Sequence, residues 1–182
     1  MKKKMEEKIG IPEGVSCNYE SPVLTCTKDS VSVSKVFDAP EISVSVSNNE
    51  LVFTCLKGNK KKYKILKSFI AHAIGVFQGL SAPFVYDLES CNVHFPMSVK
   101  KEGDVVLITN FLGEKKPRIS KILPNVEVKI EGHKITVSSR DKAAAGQTAA
   151  NLEFATRITK RDRRIFQDGI FLTSKPGAKH RG

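Results

Sequence analysis

Two stretches of alternating apolar and polar residues recur along the chain at a constant separation. Residues 40–54 and 124–138 align without a gap at an offset of 84 positions. The alternating apolar residues are Ile42, Val44, Val46, Leu51 and Phe53 in the first stretch and Val126, Val128, Ile130, Ile135 and Val137 in the second. A period of two is typical of strands with one buried face. Between the strands, Asn48-Asn49 and Gly132-His133 tolerate the positive φ of a tight turn, so each stretch is predicted to be a β-hairpin.

A helical pattern follows each hairpin. In the first half, six apolar residues at helical spacing share one face, and Gly79 is predicted to end that helix. These residues are Leu66, Phe69, Ile70, Ala73, Ile74 and Phe77. In the second half, Asp141 is the predicted N-cap and Ala145, Ala149 and Leu152 continue one face. The sequence therefore predicts an α+β fold of two tandem duplicated domains, each a small antiparallel sheet with one helix packed on a face.

Further strand-like runs precede each hairpin, and a break near residues 79–83 separates the halves, because a proline there blocks continuation of the helix. These signals divide the chain into four parts. They are a predicted N-terminal charged extension over residues 1–9, a first α+β repeat over 10–81, a second α+β repeat over 82–172 and a basic C-terminal tail over 173–182.

The composition indicates an ordinary globular protein. Hydrophobic residues make up 40% of the 182 positions and charged residues 27%, which is too apolar for a disordered chain. No apolar run approaches the length of a membrane span, and the charged start lacks the apolar region of a secretory signal. We therefore expect a cytoplasmic protein. The four cysteines (Cys17, Cys26, Cys55 and Cys91) lack paired metal-ligand spacing, so we expect free thiols and no metal site.

Positive charge is concentrated at the C-terminal end. Residues 157–182 contain eight Lys or Arg residues and two Asp residues, a net charge of +6 out of +11 for the chain. Apolar residues are interleaved with these charges from Ile165 to Leu172, so part of the segment is expected to pack rather than to float in solvent. A concentrated basic surface on a packed element is typical of nucleic-acid binding, because each neutralised phosphate releases counterions. A solvated basic tail is the alternative.

Catalytic motifs are missing from the sequence. It contains no nucleophile elbow, no phosphate-binding loop and no zinc-binding helix motif. His72, His94 and His133 are scattered and are interpreted as surface or half-buried polar residues rather than bases or ligands. The strands also lack the aromatic run with which an RNA-recognition-motif sheet stacks bases. We therefore expect no enzymatic activity, no cofactor and no small-molecule substrate.

Two further basic clusters lie outside the C-terminal end. The first runs without an acid between its members through Lys57, Lys60, Lys61, Lys62, Lys64 and Lys67. The second comprises Lys115, Lys116, Arg118 and Lys121, in the loop before the second hairpin. For each, a solubilising surface and a set of phosphate contacts remain equally open interpretations.

Several runs resemble one known family, in the order that they have there. They are VHFP at 93–96, NFLGEKKPR at 110–118, DK at 141–142 followed by AGQTAANLE at 145–153, ATRI at 155–158 and RDRRIFQDGI at 161–170, with weaker IPEGV at 11–15 and FIAH at 69–72. These runs are similar to the large-subunit ribosomal protein L6 family in its archaeal and eukaryotic form. That family consists of two duplicated α+β units, in agreement with the repeat.

The resemblance implies a structural protein of the large ribosomal subunit, where family members bind large-subunit rRNA near the base of the lateral stalk and the factor-binding region. It implies rRNA and neighbouring large-subunit proteins as partners, with no membrane. It also implies that the second repeat, over residues 82–172, carries the main RNA-binding surface and that the first repeat, over residues 10–81, serves as scaffold. Carried over to this sequence, the main contact set is Arg157, Lys160, Arg161, Arg163, Arg164, Lys175, Lys179 and Arg181, with Lys115, Lys116, Arg118 and Gln147 as secondary candidates. At most two of Arg161, Arg163 and Arg164 can share one face, so at least one is expected to pair inside the protein, with Asp162 or Asp168.

Three alternatives remain at this point. The first is a non-ribosomal RNA-binding or RNA-chaperone module that uses the same basic C-terminal end. The second is an RNA-modifying enzyme, which would need a convergent pocket of carboxylates or of Cys and His. The third is a binder of anionic membrane surfaces, which would need a basic amphipathic helix, whereas the tail contains Pro176 and Gly177.

Overall fold

The computed structural model describes residues 3–47 and 49–177. The chain folds into two compact units, Met1–Ala82 and Pro83–Gly182. The junction lies within the break at residues 79–83 to which the sequence points, directly after the last residue of the first helix and at Pro83, which cannot continue a helix.

The first unit contains six strands and one helix among its described residues. They are β1 (Lys3–Gly10), β2 (Ser16–Glu20), β3 (Val23–Lys28), β4 (Val31–Val36), β5 (Ile42–Ser47), β6 (Glu50–Gly58) and α1 (Lys60–Ser81). The strands form two antiparallel sheets, with the orders β1-β6-β5 and β2-β3-β4. Helix α1 packs against β1, β3, β4 and β6, so one apolar face serves both sheets.

The second unit repeats this arrangement and adds one strand. Its elements are β7 (Phe84–Cys91), β8 (Ser98–Glu102), β9 (Val105–Thr109), β10 (Arg118–Lys121), β11 (Glu127–Glu131), β12 (Lys134–Ser139), α2 (Lys142–Ala155) and β13 (Gly169–Ser174). The sheets have the orders β11-β12-β7-β13 and β10-β9-β8. Helix α2 packs against β7, β10, β12 and β13.

The predicted duplication is confirmed. In both units the hairpin strands pair with each other, a helix follows, and the first strand of the unit pairs with the second hairpin strand. Each turn contains a residue with positive φ, as expected: Asn49, the second turn residue of the first hairpin, has a φ of 62°, and Gly132, the first turn residue of the second hairpin, has a φ of 60°. Asn48, the other predicted turn residue in the first hairpin, lies outside the described residues. The α+β class holds, with two small sheets in each unit instead of one.

The N-terminal segment differs from the expected charged extension. Strand β1 pairs with β6 in the position that β7 takes beside β12, which makes it the first strand of the repeat. Met5 and Ile9 pack against the core, while the charged residues between and beside them keep the other face polar. The many lysines and glutamates mask this alternation in the sequence.

Each unit has its own apolar core. In the first, Phe53 is fully buried and its ring lies 6.0 Å from that of Phe37, which in turn lies 5.0 Å from the ring of Phe69. In the second, Leu88, Ile135 and Leu152 are fully buried. Fully burying one such side chain contributes about 1.5–3 kcal/mol, so these residues hold the sheets and helices together.

The helix boundaries follow the local signals in part. Asp141 caps α2 as predicted, since its Oδ1 accepts a hydrogen bond from the backbone N–H of Ala143 at 2.9 Å. Asn59 caps α1 in the same way through the N–H of Lys62. The prediction that Gly79 ends α1 is wrong, because the helix continues to Ser81 with Gly79 buried. Ile74 is exposed, so it is not part of the buried face.

The cysteines require a correction. Cys17 and Cys26 lie directly opposite each other on β2 and β3 and form a disulfide, so the prediction of four free thiols is wrong for this pair. Antiparallel pairing brings opposite side chains together, and the sequence separation alone does not show it. Cys55 and Cys91 are free. Within residues 3–47 and 49–177, the structure shows no cluster of potential metal ligands, and no helix there is long and apolar enough to span a bilayer.

Candidate nucleic-acid interface

The segment that follows α2 is a loop anchored to the fold at both ends. We call residues 157–168 the C-terminal loop; it connects α2 to β13. At its start, the buried Thr156 accepts a hydrogen bond from the N–H of Ile170 at 2.9 Å through its hydroxyl oxygen. The same hydroxyl lies 3.4 Å from the carbonyl of Leu152, in the last turn of α2. Thr156 thus ties the end of the helix to the first residues of β13.

Asp168 anchors the other end of the loop. Its side chain is 2% exposed. Its Oδ1 accepts hydrogen bonds from the backbone N–H groups of Val93 at 2.7 Å and His94 at 3.0 Å, and Oδ2 lies 2.6 Å from Nδ1 of His94. Burial acts to raise the pKa of the Asp168 carboxyl, but these hydrogen bonds outweigh burial and hold that pKa below its usual value. The carboxylate therefore ties the loop to the segment after β7.

A tight turn shapes the middle of the loop. The backbone carbonyl of Asp162 accepts from the N–H groups of Ile165 and Phe166, at 3.1 and 2.9 Å. The Asp162 carboxylate binds the guanidinium of Arg164, with the shortest N–O distance 2.7 Å. This hydrogen bond lowers the pKa of Asp162 and raises the pKa of Arg164. Arg164 thus pairs with Asp162, one of the two expected partners, but at the surface rather than inside the protein, since its side chain is 90% exposed.

Phe166 organises the side chains around the loop. Its ring stacks on the imidazole of His94 at a centroid distance of 4.9 Å, and the Cζ atom of Arg161 lies 4.8 Å from the same ring. A guanidinium within about 6 Å of an aromatic ring gains a cation–π attraction. The guanidinium of Arg161 thus lies over the Phe166 ring, although the residue as a whole remains exposed.

Arg118 joins the loop before the second hairpin to the end of α2. Its Nη1 donates to the backbone carbonyls of Ala155 at 2.8 Å and Arg157 at 3.3 Å, and its Nε and Nη2 donate to the carboxylate of Glu114. The guanidinium also lies 4.3 Å from the ring of Phe111. These contacts satisfy carbonyls that a helix leaves without partners at its C-terminus. Arg118 therefore has a structural role in this fold.

Seven of the predicted contact residues come together around the end of α2. We call them the basic rim: Arg157, Lys160, Arg161, Arg163 and Arg164 of the C-terminal loop, with Lys115 and Lys116 of the loop that Arg118 anchors beside it. All seven are exposed. Cations are favoured at a helix C-terminus, where the backbone carbonyls carry partial negative charge. The hydrogen bond from Arg118 lowers the pKa of Glu114 despite the opposing effect of burial, so this carboxylate is ionised, and the guanidinium of Arg118 offsets its negative charge.

Two of the remaining predicted residues, Lys175 and Gln147, lie away from the rim. Lys175 follows β13 and is about 20 Å along that strand from Gly169, at roughly 3.3 Å per residue. Gln147 lies about 12 Å along α2 from the end of the helix, at 1.5 Å per residue, and its amide donates to Asn151. Lys179 and Arg181 lie outside the described residues. The rim therefore contains only those predicted contact residues that lie near the end of α2.

A groove lies beside the rim, between the end of α2, β7, β13 and the C-terminal loop. Its volume is about 770 Å³. The side chain of Phe154 is 64% exposed and that of Phe171 37% exposed, and both line the groove together with Phe166. Arg157 and Arg163 of the rim contribute its cationic lining. Aromatic and positive groups therefore face one concave surface.

Reasoning from sequence missed how the rim is positioned. It placed Arg118 among the RNA contacts and Asp168 among the possible partners of arginine, whereas Arg118 binds the end of α2 and Asp168 binds the segment after β7. Asp168 lies 75 positions from Val93 and 74 from His94, and no local pattern links them. The one available signal is that His94 and Asp168 both fall in the runs that resemble the ribosomal family.

Comparison with known proteins decides the family. The family model described as "Ribosomal protein L6" matches residues 95–169. "Large ribosomal subunit protein uL6" of Methanosarcina mazei is 41% identical over 175 residues, which cover 96% of this chain and 99% of that protein. This chain belongs to the ribosomal protein L6 family. The proteins of the same name from Haloarcula marismortui and Methanobrevibacter smithii are 40% and 37% identical, over 91% and 94% of this chain and 93% and 96% of their own lengths.

These L6 relatives are archaeal, and the resemblance in the sequence is thereby confirmed. The L6 family is structural rather than enzymatic, which agrees with the expectation that the protein has no catalytic role. The family model covers the part of the second unit from Phe95 to Gly169, including the whole C-terminal loop.

Proposed function

We propose that this protein is a constituent of the large ribosomal subunit that binds large-subunit rRNA through the basic rim, near the base of the lateral stalk and the factor-binding region. In this proposal it acts in the cytoplasm, with rRNA and neighbouring large-subunit proteins as partners. Its relatives are named as proteins of the large ribosomal subunit, which supports the proposal of a ribosomal role. The observation that carries the RNA-binding part is the concentration of exposed cations on a loop anchored at both ends.

Preorganisation is the physical reason to prefer the rim to a flexible tail. Thr156 and Asp168 hold the ends of the loop, and the Asp162 turn fixes its middle. A loop that is already ordered loses less conformational entropy when it binds. Arginine guanidinium groups bind phosphate oxygens bidentately, so a few ordered arginines give position as well as charge.

A non-ribosomal RNA-binding or RNA-chaperone role is the other candidate. It would use the same basic surface, but relatives related over nearly the whole chain are named as ribosomal proteins. Co-sedimentation with large ribosomal subunits at moderate salt separates the two. Under the ribosomal proposal, the protein stays with the large subunit.

The RNA-binding part is tested by salt titration of binding to an rRNA transcript that spans the stalk base. Arg163→Ala should weaken binding by roughly 1–2 kcal/mol, the scale of a charge-assisted hydrogen bond. It should also flatten the slope of log K against log salt by about one unit, because one phosphate contact is lost. Removal of residues 175–182 should flatten the slope further without unfolding the protein, since the last strand ends at Ser174.

The matched control is Lys100→Ala, an exposed cation on β8 of the second unit that lies outside all three basic clusters. It should leave both the affinity and the slope unchanged. If Arg163→Ala and the truncated protein both retain the original slope while folded, the phosphates are contacted elsewhere. Chemical footprinting of the transcript tests the location, and protection confined to regions away from the stalk base would contradict that part.

A further inference from the structure

We propose that the groove beside the basic rim binds one unstacked nucleotide of the RNA, with its base against Phe154 and Phe171 and its phosphate at Arg157 and Arg163. This inference rests on the proposed function and assigns a second kind of contact to the same surface. In the proposed function, the rim binds phosphates of the RNA. The groove would recognise a nucleotide whose base is no longer stacked in an RNA helix.

The aromatic lining is the first argument. Phe154 extends from α2 into solvent with 64% of its surface exposed, and Phe171 on β13 is 37% exposed. The fully buried Phe53 and Phe111 elsewhere show that this chain buries phenylalanine where packing requires it. Protein sites that hold single-stranded nucleic acid use exposed aromatic rings, on which bases stack regardless of sequence.

The placement of the arginines is the second argument. Arg164 is paired with Asp162, and Arg161 lies against Phe166. Arg157 and Arg163 line the groove, and neither forms an ion pair with any residue in the described part of the chain. Their guanidinium groups are therefore available to an anion beside the aromatic surface.

The acidic groups in the lining do not oppose this assignment. Oε1 of Glu153 accepts a hydrogen bond from the N–H of Leu172 at 2.9 Å, and the Asp168 carboxylate is bonded to Val93 and His94. Both carboxylates thus serve the fold. The volume of about 770 Å³ lies within the range of about 300–1,000 Å³ of small-molecule sites, so one nucleotide fits better than a helix or a folded partner.

Charge complementarity decides between a nucleotide and a segment of another protein. An apolar peptide would bury the rings and leave two arginines without counter-charges. The groove is also continuous with the rim, where Arg157 and Arg163 belong to both surfaces. A chain of phosphates along the rim therefore leads directly to the aromatic rings.

Stacking and phosphate binding respond differently to salt, and this difference provides the test. Phe154→Leu and Phe171→Leu retain apolar surface but remove the aromatic face. Each should reduce affinity for the large-subunit rRNA transcript by roughly tenfold, as for the loss of one stacked base, without changing the slope of log K against log salt. Arg163→Ala should change the slope.

The matched control is Phe95→Leu, in the same unit. Phe95 is 46% exposed and does not line the groove, so its replacement should leave affinity unchanged. The thermal unfolding midpoint of each variant shows whether it is folded, and the exposure of Phe154 makes its replacement well tolerated. If Phe154→Leu and Phe171→Leu retain the original affinity while Arg163→Ala binds more weakly, nucleotide binding in the groove is overturned and the proposed function stands. If all three variants retain the original affinity, both proposals are overturned.

Protection of Cys91 gives an independent readout. Cys91 is a half-buried free thiol in the groove lining, and Cys55 is a buried free thiol in the first unit. Burial, then the charges of Glu89 and Asp168, raise the pKa of Cys91, so alkylation is best followed at mildly alkaline pH. Bound transcript should slow alkylation of Cys91 and leave the alkylation rate of Cys55 unchanged.

Photo-crosslinking should attach nucleotides to peptides containing Phe154 or Phe171. Crosslinks confined to other peptides, with Cys91 unprotected, would overturn the proposal.

Discussion

The two units contain the same fold but differ in the segment after the helix. In the first, α1 ends at Ser81 and the chain passes directly into the next unit. In the second, α2 ends at Ala155, and the chain forms the C-terminal loop before returning as β13 along the edge of β7. Among the described residues, no strand pairs with the corresponding edge of β1. The repeat thus supplies a scaffold, and the added segment supplies the candidate interface.

The basic clusters of the two units differ in the same way. In the first unit, Lys62 binds Glu41 and Lys67 binds Glu7, so part of the cluster stabilises the fold. Its lysines lie at the beginning of α1, which carries no acid in its first turn, and positive charge there is disfavoured by the helix dipole. In the second unit the cations lie at the end of the helix, where the dipole favours them. Runs of basic residues that look alike in sequence therefore have different structural settings.

The largest expected effect is on the anchor of the added segment. Asp168→Ala should lower the free energy of unfolding by about 3 kcal/mol, because the N–H groups of Val93 and His94 and the imidazole of His94 lose their buried acceptor. Asp168→Asn, which keeps one acceptor oxygen, should cost less. Asp38→Ala changes an exposed aspartate of the first unit and should have almost no effect. Urea unfolding measures all three. Equal stability of the Asp168→Ala and Asp38→Ala proteins would show that the loop is not held by this carboxylate.

The same residue predicts a pH dependence. Because the folded pKa of Asp168 is below its usual value, the carboxylate contributes stability at all pH values above the unfolded pKa. That contribution is lost as the pH falls below about 4 and passes through the folded pKa. The difference in stability between the original protein and Asp168→Asn should therefore shrink progressively in that acid range. A difference that stays constant down to the folded pKa would contradict the assignment.

A smaller effect is expected when Arg118 is replaced. Comparing this substitution with one at Arg163 distinguishes an arginine with a structural role from one that is proposed to bind RNA. Arg118→Ala should lower the free energy of unfolding by about 2 kcal/mol, since it removes hydrogen bonds to Ala155, Arg157 and Glu114 and the contact with Phe111. Arg163→Ala should leave that free energy within about 0.5 kcal/mol of the original, because Arg163 is exposed. Urea unfolding compares the two. Equal destabilisation by Arg118→Ala and Arg163→Ala would show that the two arginines do not differ in their structural role.

The smallest effect compares one helical glycine from each unit. Gly75→Ala in α1 should stabilise that helix by about 0.5–1 kcal/mol, since a Cβ there meets nothing within 4 Å. Gly146→Ala in α2 should gain less, because its Cβ would lie 3.1 Å from Oη of Tyr86. Amide hydrogen exchange resolves the two helices separately. A larger gain in protection for α2 than for α1 would show that the packing of α2 against β7 is looser than the structure indicates.

Local patterns predicted much of the fold. The alternation at 42–53 and 126–137 identified both hairpins, and Asp141 identified the start of α2. The pattern failed where local rules were ambiguous. Gly79 resembles a helix end but lies buried inside α1, and the charged start conceals β1. For the candidate interface, the rim residues were named from charge and resemblance, whereas the groove was not predicted.

The sequence by itself determined the duplication, both hairpins with the helices that follow them, and the family, because these depend on the spacing of apolar residues and on runs of similar residues. Only the tertiary structure separated the cations into three roles: Arg118 at the end of α2, Arg164 paired with Asp162, and Arg157 and Arg163 beside exposed rings. It also paired Asp168 with His94 and Cys17 with Cys26. These outcomes depend on which side chains and backbone groups the folded chain brings within reach of one another, and charge along a sequence carries no record of that geometry.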